Sequence, residues 1–337
     1  MSECHYRIDH RLAATPETVV WGFLGPVAPV LRVRSGEVVQ IDTVNPIGVP
    51  IDAAQRFYEH HGIALEGAVA DTLRIMSSVR KDVGPHVLTG PVHVDDARPG
   101  DTLAIEILGI EPRAPYFGVN FTRPDAGSLP GTVVENWLKV VRFDMEHRVA
   151  HFDSRVAIPL APFMGLMGVA PTSRVSSIPP GSFGGNIDLK DLRPGAFLYL
   201  PVQVPGALFF TGDGHAAQGN GEVNLTALET AMTVTLRFVL HRHSALRSPM
   251  AETAEHYLVL GLHEDLDQAA REAVQRTIDV LEAFGGFDRV EAYSVASLAV
   301  DLEITQIVDG VKGVHARIPK RLVAPQRASP WGPPPAA

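Results

Sequence analysis

The amino-acid sequence predicts an α+β fold in which β structure dominates. The chain has 337 residues, and its 30 glycines and 27 prolines are scattered along it without a repeat, which indicates many turns between short elements. Short apolar runs, of which the alternating segment 230–240 is the clearest, are typical of strands. An amphipathic segment at 265–284 that stops at Gly285-Gly286 predicts a long helix near the C-terminus.

The N-terminal half of the chain predicts strands, then helix, then strands again. Turn dipeptides at 25–26 and 35–36 separate three short apolar runs that we expect to be strands, Val19–Trp21, Val30–Val33 and Val38–Ile41. Residues 50–80 have a more helical pattern. Strands are expected again at 92–94 and 103–108, on either side of a turn at 98–101. The stretch 112–132 is rich in proline and glycine and predicts a long surface loop.

The C-terminal half predicts further strands followed by a helical layer. Strands are expected at 133–157, 197–200 and 230–240, with another Gly/Pro-rich stretch at 158–186. The helix at 265–284 has six apolar residues on roughly one face: Leu266, Ala270, Ala273, Ile278, Leu281 and Phe284. A second helix at 288–300 and a strand at 302–308 follow. No linker divides the chain, so we expect a single domain over 1–323 and a proline-rich tail at 324–337.

Charge and cysteine content exclude several classes of function. The 29 Lys and Arg residues against 38 Asp and Glu give a net charge of −9, which disfavours binding to nucleic acid or to an anionic membrane. The single cysteine, Cys4, excludes an intrachain disulfide framework and a multi-cysteine zinc site. No apolar run approaches the roughly 20 residues that span a bilayer, and no apolar leader segment begins the chain, so we expect a cytoplasmic protein.

Several common motifs of catalysis are missing from the sequence. No Gly-x-Gly-x-x-Gly and no P-loop is present, so a nucleotide-binding function has little support. Without a Gly-x-Ser-x-Gly elbow, a serine hydrolase of the common α/β type is disfavoured. No His-Glu-x-x-His pair of zinc ligands occurs either, since Glu146 precedes His147 instead of following it.

One window of the sequence concentrates polar residues that are useful in hydrolysis. It contains Asn186 and Asp188, the string Gly212-Asp-Gly-His-Ala-Ala-Gln-Gly-Asn-Gly-Glu222, and Glu229. Glycine allows the backbone to approach a ligand closely, and small residues beside His215 leave room for a small substrate. These residues also have a purely structural interpretation, in which Gly-Asp-Gly is an ordinary turn and His215 is a hydrogen-bonded structural imidazole. Composition alone favours the structural interpretation over the catalytic one.

The same window resembles the acetamidase/formamidase family. The resemblance is carried by Gly184-Gly-Asn-Ile-Asp188 and by the 212–222 string, which is long and unusual. Supporting segments are His86–Val92 with Arg98–Leu103, Pro162–Pro171, and Glu291–Ser297 with Asp301–Gln306, so the resemblance covers about residues 28–320. The sequence departs from the family pattern at Asn224-Leu225-Thr226, and the region 50–80 is longer than usual. Both departures leave the preferred amide open.

The resemblance implies hydrolysis of a small linear amide, such as formamide or acetamide, to a carboxylate and ammonia. It implies a β-rich fold with mixed β-sheets or a barrel-like sandwich, a C-terminal helical layer, and a homo-oligomer, with a dimer as the first expectation. Amide hydrolysis needs an activated water, and a bound divalent metal supplies one. His86, Asp188 and His215 form a mixed nitrogen and oxygen ligand set that suits zinc, with calcium or another divalent ion as alternatives.

The remaining polar residues are given roles on this hypothesis. Glu222 is the best candidate for the general base, with His215 as its catalytic partner, and Asn186 and Gln218 suit the holding of an amide. Glu229 lies seven residues after Glu222, so in a continuous strand it would face the opposite side. It joins the site as a substrate-binding or ligand carboxylate only if a turn or bulge intervenes. His93 and Asp95 are second-choice ligands.

Two other functions remain open at this point. One is an amidase that needs no metal and uses paired carboxylates around Glu222 and Glu229. The other is a non-catalytic, metal-stabilised module that binds a small metabolite. Metal analysis of the purified protein distinguishes the metal-free amidase from the metal-dependent one. Ligand-dependent thermal stabilisation without ammonia release would indicate the binding module.

Overall fold

The computed structural model describes residues 6–244 and 246–323; Cys4 and the predicted tail at 324–337 lie outside them. The described strands are β1 His10–Leu12, β2 Val19–Trp21, β3 Phe23–Leu24, β4 Leu31–Val33, β5 Val38–Asp42, β6 Val87–Val94, β7 Thr102–Pro112, β8 Phe117–Thr122, β9 Trp137–Asp144, β10 Val149–His151, β11 Ala157–Pro159, β12 Phe163–Val169, β13 Val175–Ser176, β14 Gly184–Asn186, β15 Phe197–Pro201, β16 Phe209–His215, β17 Met232–His241, β18 Met250–Glu252, β19 His256–His263, β20 Asp301–Gln306 and β21 Lys312–Pro319. The α-helices are α1 Ala54–His60, α2 Ala68–Ser78, α3 Leu266–Val280 and α4 Arg289–Ala299.

Most strands belong to three sheets. The largest has nine strands in the order β1-β5-β17-β7-β15-β18-β19-β21-β20. A second has the order β14-β12-β16-β6-β2, with β4 paired to β6, and a four-stranded sheet has the order β11-β10-β9-β8. The nine-stranded sheet ends in the open edges β1 and β20, and none of the sheets among the described residues closes into a barrel. The predicted β-rich α+β class is confirmed, and so are its mixed sheets.

The main hydrophobic core lies between the nine-stranded sheet and the sheet built on β12, β16 and β6. Alternation along β7 shows how the sequence builds it: Leu103, Ile105 and Ile107 enter this core, while Ala104 belongs to a second cluster on the opposite face. That opposite face is covered by α3 and α4. The core thus fixes the ends of β14 and β16, which carry polar residues of the 186–229 window.

The two C-terminal helices match the sequence pattern closely. Asp265 caps α3 by accepting the amide N–H of Gln268, and Asp288 and Glu291 form a capping box at the start of α4. A π-helical turn at Leu281–Gly285 ends the first helix. The predicted C-terminal helical layer is confirmed. No helix among residues 6–244 and 246–323 is long and apolar enough to cross a membrane.

Two stretches without clear strand patterns nevertheless form strands. The prediction of a continuous loop at 112–132 is wrong, because Phe117–Thr122 pairs antiparallel with β9 along its full length. Within the Gly/Pro-rich stretch 158–186, β12 is buried on both faces, so its sequence shows no polar alternation. The division into a domain at 1–323 and a tail stays a prediction.

Close packing of α3 on the sheet depends on Gly261 in β19. A Cβ added at this position would lie 1.8 Å from the carbonyl oxygen of Ala269. We therefore expect Gly261→Ala to lower the free energy of unfolding by about 1–3 kcal/mol, the usual cost of overpacking, as measured by urea denaturation. Gly219→Ala, where an added Cβ meets no atom within 4 Å, is the matched control. Equal stability of the two variants would contradict this packing account.

Candidate active site

Three neighbouring strands bring the candidate residues together. β12 lies between β14 and β16, with Leu166 opposite Asn186 and Phe163 opposite His215. Gly165 sits between these two pairs, and a Cβ there would lie 2.6 Å from Asp188 Oδ1 and 2.6 Å from His215 Cε1. Because glycine has no side chain, Asp188 and His215 approach each other across β12. The interpretation of Gly212-Asp-Gly214 as an ordinary turn is wrong, since these residues lie in the buried strand β16.

His215 is fully buried and its ring is oriented by Gln218. The Gln218 side-chain N–H donates to the backbone carbonyl of Asp188 at 3.1 Å, which turns its Oε1 toward His215 Nδ1 at 2.9 Å. An amide oxygen only accepts hydrogen bonds, so Nδ1 carries a proton. The other ring nitrogen, Nε2, is buried and has no hydrogen-bond partner among the described residues.

Two carboxylates face Nε2 of His215. Asp213 Oδ2 lies at 3.2 Å and Glu229 Oε2 at 3.3 Å, although neither contact has hydrogen-bond geometry. The Asn45 side chain holds this pair by donating to Glu229 Oε2 at 2.8 Å and to Asp213 Oδ1 at 3.4 Å. On the far side of Asp213, His86 Nε2 lies 3.8 Å from Oδ2.

A turn explains why Glu229 reaches the site despite its odd spacing from Glu222. The chain leaves β16, turns through the segment 216–228, and returns so that Glu229 forms an antiparallel bridge with His215. Glu229 also exchanges backbone hydrogen bonds with Val119 of β8, both at 2.9 Å. The intervening turn that the sequence required is therefore present.

Glu222 and Asp188 also lie beside His215. Carboxylate oxygens of both residues and a ring nitrogen of His215 lie within 4.8 Å of one another. The loop that carries Glu222 is fixed to β20, because Gly221 N donates to Thr305 O at 2.9 Å and Ile307 N donates to Gly221 O at 3.2 Å. Glu222 is thus held by a strand that lies some eighty residues later in the sequence.

Asp309 is a fifth buried carboxyl group, from the turn between β20 and β21. Its Oδ2 has no hydrogen-bond partner among the described residues, and Asp188 is the charged group that influences it most. We call Asp188, Asp213, Glu222, Glu229 and Asp309 the acidic cluster. Within the described ranges, the ion pairs of this cluster are made only with histidines, so neither lysine nor arginine neutralises it.

Backbone strain accompanies the acidic cluster. Asp188, Asp213 and Glu222 have φ angles of 50°, 55° and 49°, in the left-handed region that residues with side chains rarely adopt. Each such residue costs on the order of 1–3 kcal/mol and persists only where its surroundings fix it. The surrounding structure therefore holds these three carboxylates in a fixed position.

Burial and mutual repulsion shift the pKa values of the cluster. Burial raises the pKa of Glu229 to about 7 and that of Asp188 to about 6. Burial, and next the charge of Asp188, raise the pKa values of Glu222 and Asp309 well above their ordinary ranges. Burial alone would lower the pKa of His215, but the charges of Glu229 and Asp213 outweigh it and raise that pKa well above 6.5. Without a cation, the centre therefore retains protons at neutral pH.

The pKa of Asp213, which lies beside His86, shifts in the opposite direction to those of the other carboxyl groups. Burial alone would raise the pKa of Asp213, but His86 and His215 outweigh it and lower that pKa below its ordinary range. Burial lowers the pKa of His86, whose Nδ1 is hydrogen-bonded to Ser177 Oγ at 2.9 Å. The hydrogen bond to Ser177 leaves Nε2 of a neutral His86 facing Asp213. Metal-binding histidines are commonly oriented in this way, by a hydrogen bond to the ring nitrogen that does not bind the metal.

Two groups of side chains are close enough to share a cation. One consists of Asp188, His215 and Glu222, and the other of Asp213, His215 and Glu229, each with its donor atoms within 4.8 Å. All of these residues are buried. Carboxylates and imidazole in such sets suit zinc and similar divalent ions.

The structure brings most of the sequence-predicted residues into one centre. Asp188, His215, Glu222 and Glu229 meet there, Gln218 orients His215, and His86 adjoins Asp213. Asn186 is buried nearby on β14, with its Oδ1 unpartnered among the described residues. The roles assigned to these residues stay predictions. The second-choice ligands His93 and Asp95 instead pair with each other and with Arg32 near the surface.

Sequence reasoning missed Asn45, Gly165 and Asp309 and gave Asp213 no role. Asp213 stood inside the conspicuous 212–222 string, so its position was a usable signal. Asn45, Gly165 and Asp309 reach the centre only through the pairing of distant strands, and no local pattern marks them.

The fold and this centre define a β-rich protein whose buried carboxylates and imidazole are able to hold a cation and move protons. The profile of the Acetamidase/Formamidase family matches residues 23–177 and 172–322. The chain therefore belongs to the acetamidase/formamidase family, and the resemblance seen in the sequence is confirmed.

Solved structures show the same fold over nearly the whole chain. An acetamidase from Bacillus halodurans is 29% identical with a TM-score of 0.77, covering 92% of this chain and 97% of that one. An acetamidase from Yersinia enterocolitica is 27% identical with a TM-score of 0.79, covering 95% and 94%. A formamidase of Methylophilus methylotrophus is 29% identical over 155 residues, 40% of this chain and 38% of that protein. Alignments with the curated relatives span between 38% and 55% of their length.

The raised pKa values predict how the stability of the cation-free protein depends on pH. A carboxyl group whose pKa is higher in the folded state stabilises the fold in acid and loses that contribution as pH rises. Glu229, with a pKa of about 7 against an ordinary 4.5, and Asp188, at about 6, set the window. We expect chelator-treated protein to melt at a lower temperature at pH 7 than at pH 5.

The control for this prediction is the double variant Asp188→Asn, Glu229→Gln. It removes two of the titrating groups, so its melting temperature should change less between pH 5 and pH 7. His86 contributes in the opposite direction, because its pKa is lowered by burial. Cation-free protein that is equally stable, or more stable, at pH 7 would contradict the electrostatic account of the centre.

Proposed function

We propose that this protein hydrolyses a primary linear amide at the centre where Asp188, His215 and Glu222 meet. The reaction adds one water across the carbon–nitrogen bond and yields a carboxylate and ammonium. The observation that carries the proposal is the approach of these three buried side chains to within 4.8 Å. Membership of the acetamidase/formamidase family supports the same reaction.

We further propose that a divalent cation, zinc as the first candidate, is held by His215, Asp213 and Glu229, with His86 beside them. The residues fit such an ion. His215 Nε2 is buried and has no hydrogen-bond partner in the described part of the chain, and the two carboxylate oxygens lie 3.2 and 3.3 Å from it. Donor atoms at roughly 2.0–2.2 Å from a tetrahedral zinc are separated by similar distances. When bound, the ion lowers the pKa of a water ligand and polarises a carbonyl.

Asp188, the third ligand expected from the sequence, faces the other nitrogen of the same ring. Its Oδ1 lies 3.8 Å from His215 Nδ1, which is engaged with Gln218. A protonated Nδ1 is a donor and leaves no lone pair for a metal. We therefore assign Asp213 and Glu229 to the cation and place Asp188 next to Glu222, where its charge raises the pKa of Glu222.

Glu222 is the proposed general base and, later, the general acid. A general base needs a pKa above that of an ordinary exposed carboxylate to work near neutral pH. Burial, and next the charge of Asp188, raise the pKa of Glu222 well above its ordinary 4.5. In the forward reaction its carboxylate takes the proton of the attacking water. The same group then returns the proton to the departing nitrogen. Asn186, whose Oδ1 is free to accept, is proposed to hold the amide N–H, and Gln218 to hold His215 in place.

Assembly is proposed on the family resemblance alone, and location on the sequence. We propose a homo-oligomer, with a dimer as the first state to test, and a cytoplasmic enzyme that acts on a small-molecule amide. The net charge of −9 supports a substrate other than nucleic acid.

Replacement of the proposed base tests its role. Glu222→Gln keeps the size of the side chain but removes the proton acceptor, so ammonia release should fall by about two to four orders of magnitude. Glu146→Gln, an exposed position on a β-turn, is the matched control and should keep full activity. Near-normal turnover by a folded Glu222→Gln protein would remove Glu222 from this role.

An ammonia-release assay with and without a chelator tests the reaction and the cation together. We expect hydrolysis of acetamide or a related amide, loss of activity after chelation, and recovery on adding zinc. Full activity in a protein shown to be metal-free would favour the carboxylate-only amidase. Thermal stabilisation by amides without ammonia release would favour a binding module.

A further inference from the structure

A cleft of about 450 Å³ opens beside the proposed base. Glu222 and Gln218 are among the residues that line it, together with the apolar side chains of Val141, Phe152, Ile158 and Leu228. Pockets of roughly 300–1,000 Å³ are typical of ligands far larger than formamide or acetamide. The volume and lining of the cleft therefore exceed what those two amides would use.

The four-stranded sheet forms the outer wall of the cleft. Phe152 follows β10 and Ile158 lies in β11, while Val141 comes from β9. The Lys139 ammonium lies 4.7 Å from the centre of the Phe152 ring, with its charge over the aromatic face. Phe152 and Ile158 are only partly buried, so apolar surface remains available to a ligand.

Hydrogen bonds fix this wall against the loop that carries Glu222. Asn120 donates to the carbonyl of Ala227 at 2.9 Å, and Phe121 N donates to Thr226 Oγ1 at 2.8 Å. Ala161 N donates to the carbonyl of Ala216 at 2.8 Å. The apolar wall and the base are thus parts of one framework, and Glu222 belongs both to the lining of the cleft and to the acidic cluster.

We propose that the preferred substrate is a primary amide whose acyl group is an unbranched or aromatic hydrocarbon of several carbons. The inference rests on the proposed amidase function. The carboxamide needs polar partners, and the cleft has them around Glu222, so its NH₂ and carbonyl lie beside that residue. The carbon substituent then points along the wall formed by Val141, Phe152 and Ile158.

The test compares kcat/KM for acetamide, butanamide and hexanamide by ammonia release. We expect an increase of about fourfold per added methylene, the fold-change that corresponds to burying a CH₂ at about 0.8 kcal/mol. N-Butylacetamide places the chain on nitrogen and releases butylamine instead of ammonia, so its hydrolysis is followed by acetate formation; it should show no such gain. A flat or falling series with measurable acetamide hydrolysis would overturn this inference while the proposed function stands. Ammonia from none of the amides would overturn both.

Variants of the wall locate the effect. Phe152→Ala should lower the ratio of kcat/KM for hexanamide to that for acetamide by about tenfold or more, mainly through KM. Ala161→Leu narrows the cleft without removing a packed side chain and should lower the same ratio. It replaces Phe152→Ala as the test if that variant does not fold. Val134→Ala, at a fully exposed apolar position away from the cleft, is the control and should leave both values unchanged. An unaltered ratio in either folded wall variant would contradict the proposal.

Discussion

Burial of five carboxyl groups around one imidazole is the constraint on which the rest of this structure depends. Removing an unpaired carboxylate from water costs several kcal/mol, and no lysine or arginine of the described residues pairs with this cluster. Protons or a cation must supply the missing positive charge. The raised pKa values of Asp188 and Glu229 favour retained protons. The Nε2 atom of His215, which has no partner among the described residues, is a ligand atom that a cation could use.

Much of the surrounding architecture serves to hold that charge in place. The main core fixes β12, β14 and β16, and the absence of a side chain at Gly165 lets Asp188 approach His215. A late strand, β20, anchors the loop of Glu222 through Gly221. The positive φ angles of the acidic residues are maintained by this framework. The centre and the scaffold are therefore interdependent: the buried charges and strained backbone of the centre destabilise the fold locally, and the packing of the hydrophobic core offsets that cost.

The sequence predicts well those features that depend on local pattern. The helices at 266–280 and 289–299 follow from amphipathic spacing and capping residues, and the site residues 186–229 stand close together in the chain. β12 escaped prediction because both of its faces are buried, and β8 because its pairing with β9 outweighs the turn signals around it. Asn45 and Asp309 join the centre through long-range strand pairing, which a single sequence without periodic signals does not reveal. The cleft likewise forms where the four-stranded sheet faces the segment 217–228, which is distant from it in the sequence.

The central claim is that a cation bound within the acidic cluster balances its buried charge. The most direct measurement is a crystal structure of the protein grown with zinc, with diffraction data collected on either side of the zinc absorption edge. The account predicts an anomalous peak in contact with His215 Nε2, Asp213 and Glu229. A centre free of anomalous signal at full zinc saturation, in a crystal of active enzyme, would contradict it.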